Sequence, residues 1–320
     1  MEYTRLGRGG PRISRVGLGT WQFSETWGVV EYARARDIVA AAIENGINFF
    51  DTAMVYGGGK SEEFLGRALR ELGVKREEVV IATKIPGDFL TPHDVFKSID
   101  ASLRRLGVEY IDLVQLHWPP CWHNHPSCPY MRSLEKLVIH GKIRYIGVSN
   151  YPVKLIDEIR SCLSVTDIVS MQYRYNVLER QAEIELIPYA EKNNMTFIPW
   201  SPLAKGAVTG KYRPGNLPAF SDVRSRDPIF HPANFRRLWA AIEKIIEIAE
   251  KYGKTPAQVA LNWLLMSSPR IVVIPGAKNP EQVSDNAHAA DWRLDYRDWR
   301  LIDDATRNLY IEYSAWYIYS

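Results

Sequence analysis

The chain has 320 residues, of which 46% are hydrophobic and 24% charged, with a net charge of +3 and a pI near 8.6. No run of five or six like charges calls for nucleic acid, and no stretch approaches the ~18 apolar residues of a membrane span. The start, MEYTRLGRGG, lacks the apolar segment of a secretory signal. A soluble cytoplasmic protein is expected, with no nucleic-acid or membrane partner and no mark of a partner protein. Cys121, Cys128 and Cys162 form an odd, sparse set, which points to a reducing compartment rather than a disulfide framework.

In chain order, short apolar runs alternate with amphipathic stretches. Strands are expected at Val16–Gly19, Ile47–Asp51, Val79–Lys84, Ile111–His117, Ile143–Ser149, Ile168–Gln172, Thr196–Trp200 and Ile271–Pro275. Most are apolar on both faces, as in a parallel sheet covered on both sides. Helices are expected over Arg36–Asn45, stopped by Gly46, and from an N-cap at Ser61 to near Gly73. Thr91-Pro92 and Thr255-Pro256 pair a capping hydroxyl with a proline at the first helical position. Ile242, Ile245, Ile246 and Ala249 form a helical stripe. Lys205 to Asn234 has no periodicity and four prolines, the signature of a long functional loop after the seventh strand.

Eight such units make either a (β/α)8 barrel or a doubly wound sheet. The first strand–helix turn, Gly17-Leu18-Gly19-Thr20-Trp21, lacks the G-x-G-x-x-G of nucleotide-binding doubly wound sheets, so the barrel is preferred, as a single domain over residues 1–320. Barrel active sites lie at the C-terminal strand ends. There the second strand ends in Asp51, with Tyr56 five residues on, the third in Lys84 and the fourth in His117. A free phenol titrates near ~10. A nearby Lys84 ammonium is expected to lower that value, Asp51 to keep the ammonium charged, and His117 to hydrogen-bond a carbonyl oxygen. Singly, each is equally a structural ion pair or a rim aromatic; together they describe a general acid awaiting an alkoxide.

Asp51-Thr52-Ala53-x-x-Tyr56-Gly57-x-Gly59-x-Ser61-Glu62-x-x-Leu65-Gly66 resembles the signature of the aldo-keto reductases. Gly141-Lys142-Ile143-Arg144-x-Ile146-Gly147-Val148-Ser149-Asn150, Gly17-Leu18-Gly19-Thr20-Trp21 and Trp200-Ser201-Pro202-Leu203 resemble further motifs of that family, in family order. The resemblance implies reversible reduction of an aldehyde or ketone by NADPH, with NADH less favoured. Tyr56 would be the proton donor, tuned by Lys84 and Asp51, and His117 would orient the carbonyl. Ser149, Asn150 and Gln172 would hold the carboxamide, Gly19, Thr20, Trp21 and Asp51 would line the cofactor site, and the stacking aromatic is sought near Tyr173. After strand eight, Gly276, Lys278, Gln282 and Asn286 would face the adenosine. Many members carry Lys-Ser at Gly276-Ala277 and Arg at Gln282, and Lys278 stands in as a point charge. Ser201-Pro202-Leu203-Ala204-x-Gly206 with Gly210-Lys211-Tyr212 resembles the branch holding potassium-channel β-subunits and bacterial relatives. In that branch the loop after strand seven covers the pyrophosphate, which makes Lys211 and Arg224 candidate phosphate contacts and Trp200, Ser201, Pro202, Leu203, Lys205 and Gly206 further cofactor residues.

Trp21, Met54, Tyr56, His117 and Trp118, with Trp122, are expected to line a substrate pocket. Gly57-Gly58-Gly59-Lys60-Ser61 ends like a P-loop, but Met54 stands where its first glycine belongs. Cys121, His123, His125 and Cys128 fit no common zinc spacing, and no metal is expected. The aromatic tail Tyr310–Tyr319 suits a pocket cap, barrel packing or an interface equally. The rival reading is a redox-sensing subunit whose bound NADPH reports to a partner.

Overall fold

The computed structural model describes residues 1–120 and 124–313. The chain begins with an antiparallel hairpin, β1 (Tyr3–Arg5) and β2 (Arg12–Ser14), in register Thr4 to Ile13. Alternating units follow: β3 (Leu18–Gly19), α1 (Tyr32–Glu44), β4 (Phe49–Asp51), α2 (Lys60–Glu71), β5 (Val80–Ile85), α3 (Pro92–Leu106) and β6 (Ile111–Leu116). Then come α4 (Ser127–Ile139), β7 (Ile143–Ser149), α5 (Val153–Ser161), β8 (Ile168–Arg174), α6 (Leu186–Lys192) and β9 (Thr196–Trp200). Four helices complete the described residues, α7 (Pro232–Tyr252), α8 (Pro256–Ser267), α9 (Pro280–Ala287) and α10 (Tyr296–Thr306).

Strands β3 to β9 pair in parallel in chain order. The expected eighth strand, Ile271–Pro275, forms only single bridges, Ile271 to Phe197 on one side and Val273 to Val16 on the other, with Gly276 bridging Gly19. These bridges curl the sheet into the expected (β/α)8 barrel. Parallel pairing puts every C-terminal strand end on one rim.

Side-chain alternation along each strand builds two apolar shells. Phe49, Val80, Ala82, Leu113, Ile198, Val272 and Ile274 fill the barrel. Phe50, Ile81, Ile85, Val114 and Leu116 face the helices instead. The hairpin, which no periodicity announces in three-residue strands, sends Leu6 and Ile13 into the interior cluster and plugs the barrel floor. Buried Arg15 anchors it, donating to the carbonyls of Leu265 (2.7 Å), Ser268 (3.0 Å) and Ile271 (3.1 Å).

Two helix starts are as expected: Thr91 caps the N–H of Asp94 and Thr255 that of Gln258, each at 3.1 Å, and such caps contribute ~1 kcal/mol. Helix α1 begins a turn earlier than expected, at Tyr32. Ser61 is not a cap; Gly59 holds that place, in the left-handed region at φ 101°. The long segment after β9 contains short 3-10 turns at Ala204–Thr209, Val223–Arg226 and Pro228–Phe230. The cysteine expectation is overturned: Cys128 at the start of α4 and Cys162 after α5 form a disulfide. Adjacent helices bring together two thiols that lie 34 residues apart in sequence. No helix among the described residues is long and apolar enough to cross a membrane.

Candidate active site

The inward rows that bury Phe49, Val80, Ala82 and Leu113 continue upward to polar residues. Two residues beyond Phe49, Ala82 and Leu113 lie Asp51, Lys84 and Gln115, and Gln172 joins them from β8. All four are buried. Lys84 Nζ donates to Asp51 Oδ1 (2.5 Å), to the carbonyl of Thr52 (2.8 Å) and to the Tyr56 hydroxyl (3.3 Å). The second Asp51 oxygen accepts from Gln172 Nε2 (2.9 Å) and Gln115 Nε2 (3.1 Å). A buried carboxylate is costly unless paired and hydrogen-bonded, and this one is fully engaged.

Burial alone would lower the Lys84 ammonium, but Asp51 and Tyr56 outweigh it and raise it, so Lys84 stays charged. Tyr56 corrects an expectation. Burial of its hydroxyl pushes the phenol up, and the opposing pull of Lys84 does not overcome this, so the phenol lies above its ordinary value. His117 is held well below the ordinary imidazole value, by burial first and by the Lys84 charge second. A neutral imidazole therefore sits beside a protonated phenol, with ring centroids 5.8 Å apart. His117 Nδ1 is buried without a hydrogen-bond partner among the described residues.

The glycine-rich segment after β4 carries Tyr56 into this place. Gly57, Gly58 and Gly59 all have positive φ, where a Cβ is disfavoured. Ser61, at the head of α2, ties the loops together: its hydroxyl lies 2.8 Å from Thr20 Oγ1 and 2.9 Å from Thr52 Oγ1. Neighbouring Glu62, also buried, accepts from Thr83 Oγ1 and Arg105 Nε, each at 2.6 Å. A Cβ on Gly66 would lie 2.0 Å from the carbonyl oxygen of Leu106, so this position seats α2 against α3. The signature motif thus has a physical account beyond its titratable residues.

Above the four buried polar groups opens a cleft of about 980 Å³, within the upper range of ligand pockets. It brings together Gly19, Thr20, Trp21, Asp51, Tyr56, His117, Trp118, Ser149, Asn150 and Gln172. The loop after β9 supplies Trp200, Ser201, Pro202, Leu203, Lys205, Gly206, Lys211 and Arg224, and the far side Gly276, Lys278, Gln282 and Asn286. Every expected cofactor residue therefore borders one continuous space. Lys84 lies beneath it. Met54 packs against the core and does not line the cleft. Trp122, Cys121 and His123 lie outside the described residues, as does the tail beyond Tyr313. Disulfide-bonded Cys128 is removed from any metal set, and among the described residues no group of three or more ligating side chains gathers.

Several contacts refine these placements. Asn150 sits at φ 60° and donates to the carbonyl of His117 (3.0 Å), while its own oxygen accepts from Trp200 Nε1 (3.1 Å). Ser149 Oγ donates to the carbonyl of Gln172 at 2.9 Å. Tyr173 faces away from the cleft, stacked on Phe197, so the aromatic on this wall is Trp200. Ser201 and Lys205 also hold positive φ, at 53° each, a strained conformation for non-glycine residues that is concentrated here at the cleft. Lys205 bonds Asp227 at 2.6 Å. Sequence reasoning missed Gln22, Trp27, Tyr212, Phe220 and Asp222, which complete the wall. Their one signal was position, after the first strand and in the aperiodic loop.

Residues 15–307 match the Aldo/keto reductase family. A glycerol dehydrogenase structure from Gluconobacter oxydans superposes with a TM-score of 0.86 at 34% identity, covering 98% of this chain and 97% of that one. An Escherichia coli (strain K12) NADH-specific methylglyoxal reductase is 32% identical over 97% of this chain and 99% of its own. A probable voltage-gated potassium channel subunit beta from Oryza sativa subsp. japonica is 31% identical over 91% and 92%. The chain belongs to the aldo-keto reductase family, oxidoreductases that reduce carbonyl groups with NAD(P)H.

Proposed function

We propose that this chain reduces a small aldehyde or ketone to an alcohol, favours NADPH over NADH, and uses Tyr56 as proton donor. The observation that carries the reading is the position of Lys84, hydrogen-bonded at once to Asp51 and to the Tyr56 hydroxyl. A reduced nicotinamide, when bound, supplies hydride to the carbonyl carbon. The chain does the rest. Tyr56 Oη passes its proton to the carbonyl oxygen as negative charge develops there. Lys84 stabilises the phenolate left behind, and Asp51 keeps Lys84 charged and in place. Neutral His117 hydrogen-bonds the carbonyl oxygen and orients it. Trp21 and Trp118 flank Tyr56 and His117 and exclude water from the reacting carbon.

Cofactor residues fit this role because they border one continuous cleft on whose wall Lys211, Arg224 and Lys278 gather. Those cations support NADPH, and the NADH-specific relative makes the preference the point to measure. A second reading, a nucleotide-holding regulatory subunit with little turnover, draws on the likeness to the rice channel subunit. The complete proton-donor set, Asp51, Tyr56, Lys84 and His117, argues for turnover.

The test is titration of the protein with NADPH and NADH by intrinsic fluorescence, using its ten tryptophans, followed by a panel of aldehydes. Saturable NADPH binding with aldehyde-dependent oxidation supports the reductase. Tight binding without turnover on any carbonyl supports the regulatory reading instead.

A further inference from the structure

We propose that Asp222 tempers the cofactor preference of this protein by competing with the 2′-phosphate of NADPH for Arg224 and Lys278. The proposal rests on the reading of the cleft as a nicotinamide dinucleotide site.

Lys211 and Arg224, expected at the pyrophosphate, stand instead beside Lys278 of the segment expected to face the adenosine, and the three cations line the wall together with one carboxylate, Asp222. Arg224 grips that carboxylate as a fork, through Nε at 2.8 Å and through Nη2, and its backbone N–H donates to the same group at 3.1 Å. Lys278 Nζ approaches to 3.8 Å. Asp285, which also borders the cleft, bonds Thr255 and Gln258 instead and leaves Asp222 as the acid of this cluster. The cations outnumber it. Burial, then Arg224 and Lys211, push the Lys278 ammonium down although Asp222 opposes them. A dianionic group would relieve that repulsion.

A second observation leaves a donor here without an acceptor. Trp27 lines the same wall, with Lys278 Nζ 5.4 Å and the Arg224 guanidinium carbon 5.8 Å from its ring. Its indole Nε1 is buried and finds no acceptor among the described residues. A buried N–H without an acceptor is costly, and a ligand oxygen would satisfy it.

The forked guanidinium contact that Asp222 now uses is the contact a phosphate monoester uses best. A 2′-phosphate entering this cluster must displace Asp222 or lie beside its charge. NADH, with a hydroxyl at that position, meets neither obstacle. Asp222 thus keeps Arg224 oriented while narrowing the gap between the two cofactors. Asp222→Asn removes the charge and keeps an oxygen to cap the Arg224 N–H.

Wild type and Asp222→Asn are titrated with NADPH, NADH, 2′,5′-ADP and 5′-AMP by tryptophan fluorescence, with no substrate present. The expected result is about tenfold tighter NADPH and 2′,5′-ADP in the variant, with NADH and 5′-AMP within about twofold, since the like charge removed bears on the 2′-phosphate that only the first pair carries. Lys278→Gln, tested in parallel, weakens NADPH and leaves NADH unchanged. An unaltered preference in Asp222→Asn overturns the proposal. So does a preference that rises because NADH weakens while NADPH stays the same, which would assign Asp222 to the ribose hydroxyls. If wild type binds neither nucleotide, the dinucleotide reading falls and takes the proposal with it; if wild type binds both, only the role of Asp222 is at stake.

Discussion

The side-chain amide of Gln172 donates to Asp51 Oδ2 at 2.9 Å, joining strands β8 and β4 across the barrel interior. With Gln115 on the same oxygen and Lys84 on the other, the carboxylate is saturated. Gln172→Leu removes one charge-assisted donor from a buried acid, at a cost of ~1.5–3 kcal/mol. Urea unfolding of variant and wild type measures the difference. An unchanged midpoint would mean that the amide contributes nothing to holding Asp51.

Tyr56→Phe keeps the ring and deletes the proton. Carbonyl reduction should fall ~10²- to 10⁴-fold, the usual worth of a positioned general acid, while nucleotide affinity stays within about twofold. Stopped-flow NADPH oxidation separates the two quantities. Near wild-type turnover in this variant would falsify the donor assignment.

His117 contributes to the acid limb of stability. Its folded value lies well below the ordinary ~6.5, so below that pH the unfolded chain binds a proton the folded chain refuses. Stability is full above pH ~6.5 and declines as pH falls towards the folded value. His117→Gln should flatten the decline between pH ~6.5 and 5, read from denaturation midpoints at each pH. Tyr56, raised in the fold, remains protonated through neutral pH, so reductase activity should show no alkaline loss before pH ~10.

The Cys128–Cys162 bond closes a 34-residue separation, for which chain entropy gives ~3–4 kcal/mol of stability. Alkylation under denaturing conditions, followed by mass spectrometry, should label these two cysteines only after reduction. Labelling without reductant would show free thiols in the isolated protein. With the bond intact, dithiothreitol should lower the thermal midpoint.

Much of the architecture was legible because a barrel strand is apolar on both faces and ends in polarity. Asp51, Lys84 and His117 stood at successive strand ends, and the interior alternation of Phe49, Val80 and Leu113 carries them to one level. Other features depend on contacts that no local pattern encodes. Ser61 reads as a helix cap, yet its hydroxyl is taken by Thr20 and Thr52 while the Gly59 backbone makes the turn. The sign of the Tyr56 shift depends on how deeply the hydroxyl is buried, which spacing does not reveal. Cys128 and Cys162 meet only because α4 and α5 pack side by side. Trp27 and Asp222 sit in segments without periodicity and become neighbours through Lys278, more than fifty residues beyond either.

The bridge from Val16 to Val273 has a consequence for synthesis on the ribosome. Leu6 and Ile13 leave the exit tunnel long before their partners Val272 and Ile274. Until then the hairpin has an open barrel floor to cover and the sheet has two free edges, at β3 and β9. Such edges invite pairing with other chains, and contacts this distant in sequence form slowly. Both edges therefore stay open until residue 274 appears, and slow translation of the stretch after β9 would lengthen that interval.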